Sequence, residues 1–207
     1  MIYFTSDTHF GHANVIKHCN RPFDSVEEMD RVMIEKWNKK VGKNDTVYIM
    51  GDFVWKKQLV PYYAERLNGK KILIVGNHDE TWTKNPDHEN HAYFEKVLDY
   101  HIDNLSGHPV TMCHYPMVEW RQSRKDGSRK LGYLIHGHIH NNYDDEYRYM
   151  LRHYNALNAG ADVNNLEPVN FEELEKNNLA YKLSVLLPED REYLLARKTY
   201  GYDDIDN

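Results

Sequence analysis

The sequence predicts an α/β fold, and three observations predict it. Short apolar, β-branched runs alternate with stretches of helical periodicity along the 207 residues. Five of these runs stop at a glycine or tight turn and hand over Asp, Asn or His side chains, as strand ends do around a ligand. Finally, 41% hydrophobic and 13% aromatic residues are enough to bury a single large core.

Taken in order, Ile2–Thr5 is the first strand and runs into Ser6-Asp7-Thr8-His9. Asp7 and His9, two apart on extended chain, share one side of the backbone. A short helical stretch, Ala13–Cys19, leads to an Arg21-Pro22-Phe23 corner. Ser25 then caps a longer helix, with Glu28 at the capping-box position. Val26, Met29, Val32, Met33, Trp37 and Val41 give that helix an apolar stripe for core packing. Val47–Met50 is the second strand and delivers Gly51-Asp52. A helix over Leu59–Leu67 carries Pro61 in its first turn and stops at Asn68-Gly69.

Ile72–Val75, four consecutive apolar residues, is too short for a helix and reads as a buried strand. It opens onto Gly76-Asn77-His78-Asp79. Thr81–Asn90 reads as irregular and Ala92–Leu98 as a short helix. Ile102–Leu105 and Val110–Cys113 are strands around a Gly107-His108-Pro109 turn, the second ending at His114. After a charged loop over Arg121–Lys130, Gly132–Ile135 is a strand leading into His136-Gly137-His138-Ile139-His140. Leu157–Gly160 reads as the last core strand. From Phe171 the chain is polar and helical through Leu187, with a second charged helix after Pro188. Residues 1–170 are therefore read as one domain. Residues 171–207 are read as a helical C-terminal arm with a fraying acidic tail, Asp203, Asp204 and Asp206.

A net charge of −6 speaks against a general nucleic-acid binder, which is normally basic. Cys19 and Cys113 are far apart and form no Cys-x-x-Cys pattern, so neither a disulfide framework nor a cysteine zinc site is expected. The first residues are too few and too polar for a signal peptide, and no run approaches the roughly 18 apolar residues of a membrane span. The expectation is a cytoplasmic protein.

The strand-end residues form a mixed donor set of carboxylates, imidazoles and one amide oxygen, suited to divalent first-row metals. Seven such side chains are too many for one ion and fit two ions with a bridging carboxylate. Two metals clamp an in-line displacement at phosphorus and bring a bound water toward neutral pKa. Mn²⁺ is favoured, while Fe, Zn²⁺ and Ni²⁺ accept the same ligands.

Asp7-x-His9, Gly51-Asp52, Gly76-Asn77-His78-Asp79, His114 and Gly137-His138-Ile139-His140 stand in an order that resembles the five-motif signature of calcineurin-like metallophosphoesterases. The segment Arg21-Pro22-Phe23, Val26–Asp30, Trp37-Asn38 and Val47-Tyr48 resembles a small bacterial and phage branch of that family. The resemblance implies a four-layered α/β/β/α sandwich with a dinuclear site at the strand ends. By the same resemblance Asp7, His9 and His140 hold the first metal, Asp52 bridges, and Asn77, His114 and His138 hold the second. His78 stays off the metals and protonates the leaving group or binds the phosphate, oriented by Asp79. Gly51-Asp52-Phe53-Val54-Trp55 lacks the Asp-Arg-Gly extension of the protein-phosphatase branch, which weakens a phosphoprotein reading.

Arg21, His12 with its neighbour Asn14, and Arg124 are the substrate candidates. Arg21 suits bidentate phosphate recognition, or else pairs with a surface carboxylate. His12, just after the first motif, either reaches the substrate or belongs to a helix start. Arg124 lies in the basic loop with Arg121, Lys125, Arg129 and Lys130 between two metal-type strand ends; the loop either overhangs the site or is a solvated charge run. Tyr115 and Trp120 can stack on a base or pack, and His136 reads as a satisfied buried histidine.

The resulting expectation is a phosphoric ester hydrolase, with phosphodiesters or nucleotide-type molecules preferred over monoesters and phosphoproteins. A hydroxide bridging the two metals would attack phosphorus. A nuclease acting on nucleic-acid ends is the alternative, disfavoured because duplex binding needs several Lys or Arg contacts. A metal-dependent scaffold ranks last, because His78 and all the ligand positions are present. No oligomeric state is read from the sequence.

Overall fold

The computed structural model describes residues 1–105, 107–124 and 130–200. Lys125 and Arg129 of the basic loop and the acidic tail residues Asp203, Asp204 and Asp206 lie outside the described residues.

Two four-stranded sheets stack in the middle of the molecule. The first runs β1 (Ile2–Thr5), β2 (Thr46–Ile49), β3 (Lys70–Ile74) and β4 (Lys96–Leu98), all parallel. The second runs β5 (His101–Leu105), β6 (His108–Met112), β7 (Tyr133–His136) and β8 (Ala156–Asn158), with only the β5–β6 pair antiparallel. Beyond β1 and β8, Ser6 and Gly160 form a parallel bridge that joins the sheets. The carboxyl ends of β1, β2, β3, β6, β7 and β8 therefore open on the same side.

The period of two along each strand sorts the layers. Tyr3, Val47, Ile49 and Leu73 face outward onto Met29, Met33 and Trp37 of α2 (Val26–Lys40). Phe4, Tyr48, Met50, Ile72 and Ile74 face inward onto Val110, Met112, Ile135 and Leu157 of the second sheet. On the far face, Leu134 and Ala156 meet Trp120 and Met150, the latter from α5 (Asp145–Leu151). With α1 (Ala13–His18) and α3 (Val60–Ala64) beside α2, the result is the α/β/β/α sandwich.

Asn170 and Glu173 close a full capping box on α6 (Phe171–Val185), which packs on β8 and β1 and places Leu174 in the inter-sheet core. The last helix, α7 (Pro188–Tyr200), puts Leu194 against Leu151 and Leu186. At α2 the Ser25 hydroxyl accepts from Glu28 N, while the Glu28 carboxylate reaches Asp24 N rather than closing the box on Ser25.

Three local expectations change. Ala92–Leu98 is a 3-10 turn, Glu89–Tyr93, followed by the edge strand β4; pairing with β3 overrides a weak helical pattern. The helix over Leu59–Leu67 shrinks to a 3-10 turn, Lys57–Leu59, and α3. α4 (Glu80–Thr83) and α5 arise in segments that read as irregular or without pattern.

Candidate metal centre

Every predicted metal residue sits at the shared strand-end face, and the backbone there is bent to aim it. Asp7, His9, Asp52, His138 and His140 all have φ between 49° and 73°, the left-handed region that non-glycine residues enter at a cost of order 1–3 kcal/mol each. Interstrand hydrogen bonds hold the bends: Asp7 N donates to Gly51 O at 3.0 Å and His9 N to Asp52 O at 3.0 Å. Glycine is required where loops cross. A Cβ on Gly137 would collide with Ser6 Oγ and the Asp7 carboxylate, and one on Gly76 would strike Asp52.

Asp7, His9 and His140 bring one ligand atom each to within 4.8 Å of one another, and so do Asp7, Asp52 and His114. Asp7 is common to both groups, and the Asp52 carboxylate of the second lies 3.5 Å from His9 Nε2 of the first and 3.7 Å from His114 Nε2. On the far side Asn77 Oδ1 is 3.0 Å from His114 Nε2 and 3.1 Å from His138 Nδ1. His114 Nδ1 meets the Met50 carbonyl at 2.6 Å. A carbonyl only accepts, so Nδ1 carries a proton, and this bond turns Nε2 toward the Asn77 oxygen. His9 Nδ1, moreover, is buried without a hydrogen-bond partner.

Charge states follow from this crowding. Burial pushes the Asp7 carboxyl up, and burial with His140, His78 and Arg21 nearby pushes His9 down to about 2. Burial would also lower His140, but hydrogen bonds to Asp162 and Cys19 and the Asp7 charge carry it up to about 10. Buried lone pairs aimed at one another, with too little cationic charge of their own, are satisfied by divalent cations. The donor set fits metal ions.

Three predicted roles are corrected. Asp79, fully buried, accepts from the backbone N–H groups of Asp52 (2.8 Å), Gly76 (3.0 Å) and Phe53 (3.3 Å). It braces the metal loops, and its carboxylate is directed at these backbone groups instead of the His78 ring, which stands edge-on to His9. Burial and the neighbouring Asp52 push its carboxyl up to about 7 against those three bonds. The His78 ring stands at the cleft mouth, 34% exposed, with Nε2 3.9 Å from Asp52, while its backbone N–H donates to Asp52 Oδ1.

Arg21 is likewise no substrate ligand. Its side chain is 1% exposed, with Nε 2.7 Å from Asp162 Oδ1, and it also donates to the carbonyls of Asp7 and Thr8. His12 does line the cleft, stacked on Trp55. Arg124 does not; it is exposed and pairs loosely with Glu119 at 3.6 Å. The reason is topological. A crossover between parallel strands must return to the opposite end of the sheet, so residues just before β7 lie away from the site. Ser123 O accordingly receives a hydrogen bond from Asn155, at the start of β8. Trp120 packs, with Nε1 donating to Gly132 O, whereas Tyr115 touches the His114 and His138 rings edge-on. His136 is buried and satisfied by Gly137 O.

Asp162 escaped the sequence reading. Its carboxylate takes His140 Nδ1 at 2.8 Å and both Arg21 contacts, so that His140 presents Nε2 toward Asp7. Burial would raise it, but His140 and Arg21 hold it at about 2. The available signal was Ala159-Gly160-Ala161-Asp162, one more apolar strand end that passes through glycine to a carboxylate.

Fold and site together define a metal-binding α/β sandwich protein whose ions would sit at the floor of an open cleft of about 800 Å³. Residues 1–168 match the calcineurin-like phosphoesterase superfamily domain, and the chain belongs to that superfamily. The uncharacterized protein MJ1445 of Methanocaldococcus jannaschii is 36% identical over 181 residues, covering 84% of this chain and 89% of the relative. The Gene 66 protein of Mycobacterium phage L5 is 34% identical over 166 residues, covering 67% and 76%, which fits the small bacterial and phage branch. A protein of unknown function from Aquifex aeolicus, AQ665, superimposes with a TM-score of 0.60 at 28% identity, over 85% of this chain and 98% of that one. The family implies metal-dependent hydrolysis of phosphoesters with divalent ions. No helix of the described residues is long and apolar enough to cross a membrane.

Proposed function

We propose that the protein is a dinuclear metal-dependent phosphoesterase acting on small phosphodiesters or nucleotide-type molecules, with Mn²⁺ the favoured ion. The carrying observation is the pair of donor groups that overlap at Asp7, with the Asp52 carboxylate 3.5 Å from His9 Nε2 and 3.7 Å from His114 Nε2. Asp7, His9 and His140 would hold one ion and Asn77, His114 and His138 the other, with Asp52 shared. When bound, two such ions supply Lewis-acid stabilisation of the phosphoryl oxygens and a water of lowered pKa. The protein's own residues do the rest. Asp162 and the Met50 carbonyl fix the faces that His140 and His114 present, and Asp79 keeps the Asp52 loop in register. His78, anchored through its own N–H and half-open to the cleft, is placed to protonate a leaving-group oxygen or to bind a phosphoryl oxygen. Diester preference is supported by cleft walls without Lys or Arg among the described residues, since a monoester brings a second charge. A reducing cytoplasmic setting is part of this reading and is supported by the two free cysteines.

The test compares bis(p-nitrophenyl) phosphate with p-nitrophenyl phosphate, with and without added Mn²⁺. Metal-dependent cleavage favouring the diester is expected. His78→Ala should lower kcat by about 10²–10⁴-fold, the usual weight of a general acid, while metal content is retained. Failure of the metal-loaded protein to cleave either ester would overturn the reading.

A further inference from the structure

The cleft above the metal residues has two unlike walls. On one, the Trp55 indole stacks on the His12 imidazole with centroids 3.8 Å apart and planes 2° from parallel. A bridge between Phe10 and Val54, with Trp55 N donating to Phe10 O at 3.0 Å, fixes this stack by tying the loop after β1 to the loop after β2. Trp55 is 39% exposed and its ring centroid lies 5.2 Å from that of His78, beside the reacting position. The other wall is lined by Asn141, Asn142, Tyr143, Asp144 and Tyr147, with Tyr143 60% exposed.

That second wall is held in place from behind. The Tyr181 hydroxyl of α6 donates to Asn141 O at 2.6 Å, Asn141 Nδ2 donates to Cys19 O at 3.0 Å, and Arg148 of α5 is clamped by Glu189 and Asp190 of α7. An aromatic platform thus shares the cleft with a braced wall of tyrosines and asparagines. Asn14 adds a further amide to the lining, and side-chain amides both donate and accept, as a base edge requires. Lysine and arginine are missing from the described lining, and the wall carries Asp144 instead. Additional phosphates would find no lysine or arginine here.

We propose that the cleft is a nucleoside subsite: a single base lies on the Trp55 face while one phosphoryl group sits over the metal residues. This rests on the phosphoesterase reading and narrows its substrate class to phosphoesters of one nucleoside. Longer nucleic acid strands are excluded, because tracking a backbone takes a basic groove.

The test is equilibrium binding to the Mn²⁺-loaded protein, read by quenching of tryptophan fluorescence and by calorimetry. Trp37, Trp82 and Trp120 are buried, so Trp55 is the reporter that ligand can reach. Adenosine 5′-monophosphate should bind about tenfold or more tighter than inorganic phosphate, the size of one base–aromatic stack. Trp55→Ala should bring that preference close to one, whereas Trp55→Phe should retain most of it. A short single-stranded oligonucleotide should bind no tighter than the mononucleotide. Equal binding of adenosine monophosphate and phosphate would overturn the subsite, as would a Trp55→Ala protein that keeps the preference. A much tighter oligonucleotide would overturn it in favour of a nucleic-acid track.

Turnover separates this from the catalytic reading. Thymidine 5′-(p-nitrophenyl phosphate) and methyl p-nitrophenyl phosphate share leaving group and charge, and kcat/KM should favour the nucleoside ester by about tenfold. Trp55-dependent nucleotide binding with neither ester cleaved would uphold the subsite and sink the hydrolase. Equal cleavage of both esters without a binding preference would do the reverse.

Discussion

The floor of the cleft and the C-terminal helices both bury many polar groups, and they do so in opposite ways. Around α6 the buried donors of Lys182 and Asn178 have been given acceptors. Lys182 Nζ, 2% exposed as a residue, donates to His153 O at 2.7 Å and to Ala156 O at 2.5 Å. Asn178 donates to Asn158 O and Leu174 O and accepts from Asn158 N. Such a network is complete and has nothing left to bind. At the floor, ligand atoms of Asp7, Asp52, Asn77, His9 and His114 converge, and Asp7, His9 and Asp52 are held in the left-handed region. Burial by itself does not mark a functional site. Unmatched acceptors converging on one point do, and Arg21–Asp162 is the seam where the matched pattern meets the unmatched one.

Mutations should expose that contrast. The largest effect is expected at Asp52→Asn, which should release both ions and abolish diester cleavage; metal analysis showing full occupancy in the variant would refute a shared ligand. Next is Asp162→Ala, which strands the Arg21 charge in the interior. It should cost about 3–5 kcal/mol of stability and weaken metal binding by about 10–100-fold, read by denaturant unfolding of the metal-free protein and by metal titration. An unfolding midpoint equal to wild type would contradict the seam.

On the matched side, Lys182→Met should cost about 1–3 kcal/mol through its unpaired carbonyls, while metal content and diester kcat/KM stay at wild-type values. Metal loss in this variant would break the comparison.

The last expected effect concerns pH and is absent at neutrality. Burial, with Lys182, Arg197, Arg124 and Arg152 around it, lowers His153 to about 4 from 6.5. The unfolded chain then takes up its proton first, so this contribution is whole above pH 6.5 and is lost as pH falls toward 4. His153→Asn should flatten that part of the acid limb in urea midpoints measured across the range, and parallel wild-type and variant profiles would dismiss it.

Much of the site was legible because its signals are local. Gly76-Asn77-His78-Asp79 after Ile72–Ile74, or Gly137-His138-Ile139-His140 after β7, needs only strand period and glycine geometry to be recognised as a strand end bearing ligands. Residue chemistry alone misled at Arg21, which looked like a phosphate ligand until a partner 141 residues away took its guanidinium. Asp79 looked like a histidine partner because it adjoins His78, yet its carboxylate turns back to the loop after β2. Arg124 looked like an overhang because chain order suggests proximity, whereas a parallel crossover carries such a residue to the other end of the sheet.

By itself, then, the sequence determined the strands that end in ligands, the ligand types and their order, since a buried strand and a tight turn are written in adjacent residues. Tertiary structure decided which charges neutralise one another and which meet only their like, because that depends on distances set between strands and helices remote in the chain.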